Sequence, residues 1–245
     1  MKAADFNYVR PNTLTEALNL ISKADEDVAI ISGGQSLIPM MNFRLVEPST
    51  LIDISKLPEL QKIEHLGATL EIGAGLTYAE IEKSDIVNSI VPLLAYAIEF
   101  IAHSAIRNRG TIGGSVALAD PAAEIPALLI ALNATIFLQS RTAHRLISAD
   151  EFFIGTYETA LERGEIVLKI SIPSFSFKFK AKPFLFRFII IKAADSPLIS
   201  GGRNFLVSSP PGIFSIFITS APRSASNKPQ VGPAIICDNS KTRIP

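Results

Sequence analysis

The 245-residue sequence predicts a mixed α+β fold organised around two glycine-pair loops. Three observations carry this. Segments with apolar residues at helical spacing alternate with short β-branched runs, two pairs of those runs are spaced as hairpins, and Gly33-Gly34 is echoed by Gly113-Gly114 eighty positions later.

Leu14, Ala17, Leu18 and Ile21 form an i, i+3, i+4, i+7 stripe. Thr13, with Glu16 three residues on, is a capping-box pattern that starts a helix there. The run Val28–Ile31 reads as a short buried strand that delivers the chain into Ser32-Gly33-Gly34-Gln35-Ser36-Leu37, with Ser36 the expected cap of a short helix through Met40. A strand over residues 51–54 then completes a small βαβ-like unit. Residues 60–63 and 68–72 predict a hairpin turning at His65-Leu66-Gly67, where His65 is a solvated turn residue. Gly73-Ala74-Gly75 is not a dinucleotide fingerprint, because Tyr78 stands at its third glycine position.

Thr77 caps a helix carrying Ala79, Glu80 and Ile81, and Pro92 opens a longer one through Ile101. The run from Ala105 through Ser115 reads as a loop resting on that second helix. Asp120-Pro121 redirects the chain into a helix over residues 122–132, with Glu124 in the first turn where the dipole favours an acid. Residues 134–139 and 144–147 predict a second hairpin, and residues 164–173 are a strand apolar enough to be central.

The glycine pairs are the chemically informative feature. A glycine pair between hydroxyl residues lets backbone N–H groups approach an anion without Cβ interference, and Thr111 and Ser115 add hydroxyl donors. Either pair alone reads first as a tight turn, and it is the presence of two with their flanks that points to a ligand. His103 is expected to order the second loop by hydrogen bonding, and Arg107 and Arg109 are expected to staple it through ion pairs rather than to grip a phosphate.

Composition narrows the classes. The chain is 48% hydrophobic and 19% charged, a globular balance. No apolar run follows the first basic residue as a secretory leader would, and Glu99 and Arg187 break the longest apolar stretches, so the sequence reads as a soluble, cytoplasmic chain with no transmembrane segment. One cysteine, Cys237, and three separated histidines supply neither a disulfide framework nor a zinc or iron–sulfur site. No nucleophile elbow is present, since Gly34-Gln35-Ser36-Leu37-Ile38 lacks its last glycine, and nothing points to a nucleic-acid partner. A formal charge of zero conceals an asymmetry: residues 1–173 hold 13 Lys/Arg and 21 Asp/Glu, net −8, and residues 174–245 hold 10 Lys/Arg and 2 Asp/Glu, net +8. The second segment also carries 8 of 16 prolines and 9 of 15 phenylalanines, with Phe175, Phe177 and Phe179 alternating as in a strand. That break predicts that residues 174–245 are a frameshifted or otherwise corrupted translation; the alternative is a basic appendage that docks a partner.

Residues 32–45, Ser-Gly-Gly-Gln-Ser-Leu-Ile-Pro-Met-Met-Asn-Phe-Arg-Leu, and residues 106–115, Ile-Arg-Asn-Arg-Gly-Thr-Ile-Gly-Gly-Ser, resemble the two flavin-binding loops of the FAD subunit of molybdenum hydroxylases, the carbon monoxide dehydrogenase and xanthine dehydrogenase type. The resemblance includes the opening Phe6-Asn7-Tyr8-Val9-Arg10-Pro11, runs to about residue 173 and stops there. It implies a two-subdomain FAD-binding fold of the vanillyl-alcohol oxidase and p-cresol methylhydroxylase type, with subdomains at 1–55 and 56–173. It implies FAD bound by Ser32, Gly33, Gly34, Gln35, Ser36 and Leu37 of the first loop and by Ile106, Thr111, Gly113, Gly114 and Ser115 of the second. Asp120 is implied near the ribityl or adenosine part, a role compatible with capping, and Ile166 is implied beside the isoalloxazine. Leu118 stands where relatives often carry a polar residue. The implied function is electron transfer from an iron–sulfur small subunit to an external acceptor, with substrate hydroxylated on a molybdopterin large subunit. A stand-alone flavin-dependent oxidase and a nonfunctional truncated fragment are the alternatives.

Overall fold

A computed structural model of the protein describes residues 2–23 and 27–174; the expectations for Phe175 onward lie outside the described residues. Strand β1 (Asn7–Val9) leads to α1 (Leu14–Ser22), where Thr13 caps by accepting from the Glu16 N–H. The reciprocal bond runs from the Asn12 N–H to Glu16 at 2.8 Å, one residue before the cap. Strand β2 (Val28–Ile31), helix α2 (Leu37–Asn42) and strand β3 (Thr50–Asp53) follow. The three strands form a parallel sheet in the order β1-β3-β2. Because β2 lies at its edge, it is half-buried rather than buried, with Ile30 exposed. Ser36 precedes α2 but makes no side-chain capping bond, since its backbone is already helical at φ −103°, ψ −46°.

A short 3₁₀ turn (Pro58–Leu60) precedes the hairpin of β4 (Ile63–Leu66) and β5 (Thr69–Gly73). His65 therefore lies within β4, not in the turn, and is exposed. A helical layer follows: α3 (Tyr78–Glu82), opened by a complete Thr77/Glu80 capping box, then α4 (Asp85–Ile90), α5 (Pro92–Ile98), α6 (Ser104–Arg107), α7 (Ile112–Leu118) and α8 (Glu124–Ala131). The helix opened by Pro92 ends sooner than its apolar pattern implies. Asp120 accepts from the Ala122 N–H at 2.8 Å in a local turn, so Ala123 rather than Asp120 is the N-cap of α8.

Strands β6 (Thr135–Gln139) and β7 (His144–Ser148) form the second hairpin. A helical turn α9 (Ala149–Phe152) and the small β8 (Phe153–Gly155) and β9 (Glu158–Thr159) pair bring the chain to β10 (Ile166–Pro173). β10 is the middle strand of an antiparallel sheet, β4-β5-β10-β6-β7, as its apolar run demands. One apolar core joins both sheets: Ala17, Leu18 and Ile52 belong to the same buried cluster as Ile72, Ile136 and Ile170.

The first sheet is tied down by a polar cluster. Asp53, 5% exposed, accepts the Tyr8 hydroxyl, two guanidinium bonds from Arg10 at 3.0 and 2.7 Å, and the Ser55 N–H at 2.8 Å. Burial alone would raise its pKa, but these donors outweigh that and hold the carboxyl at about 2, below its usual 3.8. A depressed carboxylate pKa adds stability that is present above the unfolded value and is lost as pH falls through the folded one. Asp53→Asn is accordingly expected to remove about 2 kcal/mol at neutral pH. Melting curves of the two proteins should converge as pH falls from about 4 towards 2.

Candidate functional site

Both glycine-pair loops meet at one place. Gly33 packs on the backbone of the second loop so closely that a Cβ there would collide with the Arg109 carbonyl and lie 3.0 Å from Gly110 Cα and the Thr111 nitrogen. The Thr111 hydroxyl donates to Ser32 Oγ at 3.1 Å and accepts from the Gly114 N–H at 3.2 Å, so a single buried side chain joins the two loops and caps α7. Gly34 holds φ +71°, which a side chain would strain.

The second glycine pair is expected from the sequence to lie in a loop with its amides offered to an anion. The structure corrects this: the pair forms the first turn of α7, where the Gly113 N–H bonds Ala74 O at 2.9 Å and the Gly114 N–H is taken by Thr111. The first loop differs. Among the described residues no acceptor takes the N–H groups of Gly33, Gly34, Gln35 or Ser36. Backbone donors come from one loop, and hydroxyls and close contact come from the other.

The seat of the second loop is Gly73-Ala74-Gly75. The Ile112 N–H bonds Leu76 O and the Tyr78 N–H bonds Gly110 O, both at 3.0 Å, and the Ala74 N–H bonds Leu168 O of β10. Gly113 lies against Ala74, 2.6 Å separating the position of a Cβ from the Ala74 carbonyl oxygen. Small residues here serve backbone contact, a role visible in the sequence as the run of glycine and alanine itself. The pairing of β10 with β6 shifts register between Val167 and Lys169, an irregularity of the kind found beside sites.

These loops wall a cavity of about 530 Å³. All of Ser32, Gly33, Gly34, Gln35, Ser36, Leu37, Ile106, Thr111, Gly113, Gly114, Ser115, Asp120 and Ile166 line it. Leu118 does too, half-buried. Residues that sequence reasoning passed over also line it, including Ile31, Ile54, Tyr78, Ala123 and Val167. They are apolar or aromatic positions whose periodicity reports a core and does not separate a cavity wall from it.

Electrostatically the wall is neutral to acidic. Burial pushes the Tyr78 hydroxyl up to about 12, although a bond with Ser115 opposes this. Next to the wall residue Ala123, Glu124 in the first turn of α8 has its pKa raised by burial and by the charge of Asp120. Arg107 acts as the staple expected of it, bonding Glu82 at 3.3 Å and the carbonyls of Ile101 and Ala102. Arg109 does not, having no ion-pair partner among the described residues. His103 is exposed at the N-cap of α6 and makes no side-chain capping bond, so the turn is ordered by its carbonyl, which accepts from Ile106 and Arg107.

A cavity walled by a glycine-rich loop with free amides, a hydroxyl-bearing helix start and apolar strands is of a kind suited to a nucleotide cofactor, in a protein of mixed helix and sheet. The chain belongs to the family described as the FAD binding domain in molybdopterin dehydrogenase, whose model matches residues 4–175, and FAD is the cofactor of this domain. It is 42% identical over 171 residues to the carbon monoxide dehydrogenase medium chain of Hydrogenophaga pseudoflava, covering 70% of this chain and 60% of that one. It is 43% identical over 174 residues to the nicotine 6-hydroxylase medium subunit of Paenarthrobacter nicotinovorans, covering 71% and 61%. Among solved structures, carbon monoxide dehydrogenase from Hydrogenophaga pseudoflava superimposes with a TM-score of 0.70 at 41% identity, covering 72% of this chain and 61% of that one. Quinoline 2-oxidoreductase from Pseudomonas putida 86 does so with a TM-score of 0.70 at 40% identity and the same coverage. The chain thus spans about 60% of the length of the curated relatives it matches. No described helix is long and apolar enough to cross a membrane.

Proposed function

We propose that this chain is the FAD-binding electron-transfer subunit of a molybdenum hydroxylase. In this reading FAD accepts electrons from an iron–sulfur small subunit and passes them to an external acceptor, while substrate is oxidised on a molybdopterin large subunit. The observation that carries it is the fusion of the two loops, through Thr111, Ser32 and the close seat of Gly33, into one wall of a single cavity. The free amides of Gly33 to Ser36 suit the diphosphate, and the Ser115 hydroxyl and Gly114 border it. Asp120 would meet the ribityl or adenosine part, and Ile166 and Val167 at the bulged start of β10 the ring system. The cofactor supplies the redox chemistry, and the protein holds and orients it. The larger architecture this supports is a two-subdomain fold of the vanillyl-alcohol oxidase and p-cresol methylhydroxylase type, divided near residue 55.

The test is retention of flavin absorbance by the recombinant chain through gel filtration, and co-purification with coexpressed iron–sulfur and molybdopterin subunits. A chain that holds FAD and recruits neither subunit would favour a stand-alone flavin oxidase, and a folded chain that holds none would be a nonfunctional fragment. Gly114 is exposed towards the cavity, and only the Thr111 hydroxyl, at 2.9 Å, would meet a Cβ there. Gly114→Val is therefore expected to abolish FAD retention with the fold kept, read by unchanged circular dichroism and loss of the yellow band. Normal retention in that variant would remove α7 from the cofactor site.

A further inference from the structure

A second cavity, also about 530 Å³ and so within the range of small-molecule sites, opens at the end of the five-stranded sheet where β6 turns into β7. It lies between the turn joining β6 to β7 and the segment that leads into β10. Arg141, Arg145 and Arg163 line it against two carboxylates, Glu162 and Glu165. Arg145 is committed: it bonds Glu165 at 2.7 and 2.8 Å, reaches Glu162 at 3.5 Å, and its hydrogen bond holds the Glu165 carboxyl below the usual range. Arg141 is exposed and has no ion-pair partner among the described residues. The N–H groups of Arg141, Thr142 and Gly164 meet no acceptor among the described residues. At Gly164, where φ is +86°, nothing lies within 4 Å of the space a side chain would fill.

Three arginines against two glutamates leave this lining an excess of one positive charge, with an exposed guanidinium and backbone donors on both facing turns. Such a set suits a compact oxyanion, which a guanidinium grips through paired N–H bonds. We propose that this cleft binds a phosphate-bearing small molecule, held by Arg141 and by the turn amides of Thr142 and Gly164, with the Arg145–Glu165 pair as its rigid wall. Glu165 also lines the first cavity, so the occupant sits one ion pair away from the cofactor site.

The experiment is calorimetric titration of inorganic pyrophosphate into the full chain saturated with FAD, or into the chain as purified if FAD is not retained. Saturable binding is expected, weakening with added salt and weakening about tenfold in Arg141→Ser, whose exposed position leaves circular dichroism unchanged. Gly114→Val, in the other cavity, is expected to bind pyrophosphate as the unaltered chain does. Absence of binding would overturn the proposal. So would equal affinity in Arg141→Ser, or loss of binding in Gly114→Val with retention in Arg141→Ser, which would assign the anion to the first cavity. Where FAD is not retained, the first-loop amides are open to the same anion, and the contrast between Arg141→Ser and Gly114→Val then carries the decision.

Discussion

Gly33→Ala is expected to yield a protein that retains no flavin and melts well below the parent. The added methyl would sit against the Arg109 carbonyl and 3.0 Å from Gly110 Cα, and both are backbone atoms with no rotamer to yield. The second loop is itself clamped from behind by the Ile112 and Tyr78 N–H bonds to Leu76 and Gly110. Relief must therefore come from parting the loops, which breaks the Thr111 to Ser32 hydrogen bond and opens the cavity wall. Overpacking of this kind costs about 3 kcal/mol, and loss of a part-buried hydrogen bond adds about 1 kcal/mol. Thermal denaturation together with flavin absorbance after gel filtration checks it. An alanine variant that melts with the parent and stays yellow would show that the loops can separate without consequence.

Gly113→Ala should act in the opposite sense to its neighbour. Where Gly114→Val fills the cavity and displaces only the Thr111 hydroxyl, a methyl at Gly113 would press on Ala74, whose carbonyl oxygen it would approach to 2.6 Å. Ala74 cannot retreat, because its own N–H is bonded to Leu168 in the central strand of the sheet. An expected loss of about 3 kcal/mol follows, with the Gly113 to Ala74 bond weakened as well. Urea denaturation of the two variants, side by side with the parent, should show a much lower midpoint for Gly113→Ala and a smaller fall for Gly114→Val, whose Cβ meets only the Thr111 hydroxyl. Two adjacent glycines would thus be separated by purpose, one for packing and one for ligand space.

Much of the fold is legible in the sequence because its signals are local. Thr13 and Thr77 announce their helices through capping chemistry, and both do cap. The apolar run that begins at Ile166, broken only by Lys169 and Ser171, announces a strand buried between two others, and it is the middle one. What is not legible is what depends on partners far along the chain. The Val28–Ile31 run is as apolar as a central strand, yet it lies at a sheet edge because nothing in its own residues says that β1 and β2 flank β3 from opposite sides. The meeting of the two glycine pairs is written in composition, but the division of labour between them is not. Whether Gly113 and Gly114 offer their amides or spend them depends on Ala74 and Thr111, and only assembly reveals it. Tyr78 illustrates the same limit: it reads as the failed glycine of a different motif, and it turns out to underlie Gly110 and border the cavity.

The single apolar core has a further consequence. Helix α1 and strand β3 share their buried side chains with the larger sheet, and the cavity lies on the seam. The two halves therefore lean on a common core, and occupancy of that seam bears on both. A cofactor held there would act as a rivet whose tightness is read from the rise in melting temperature it brings.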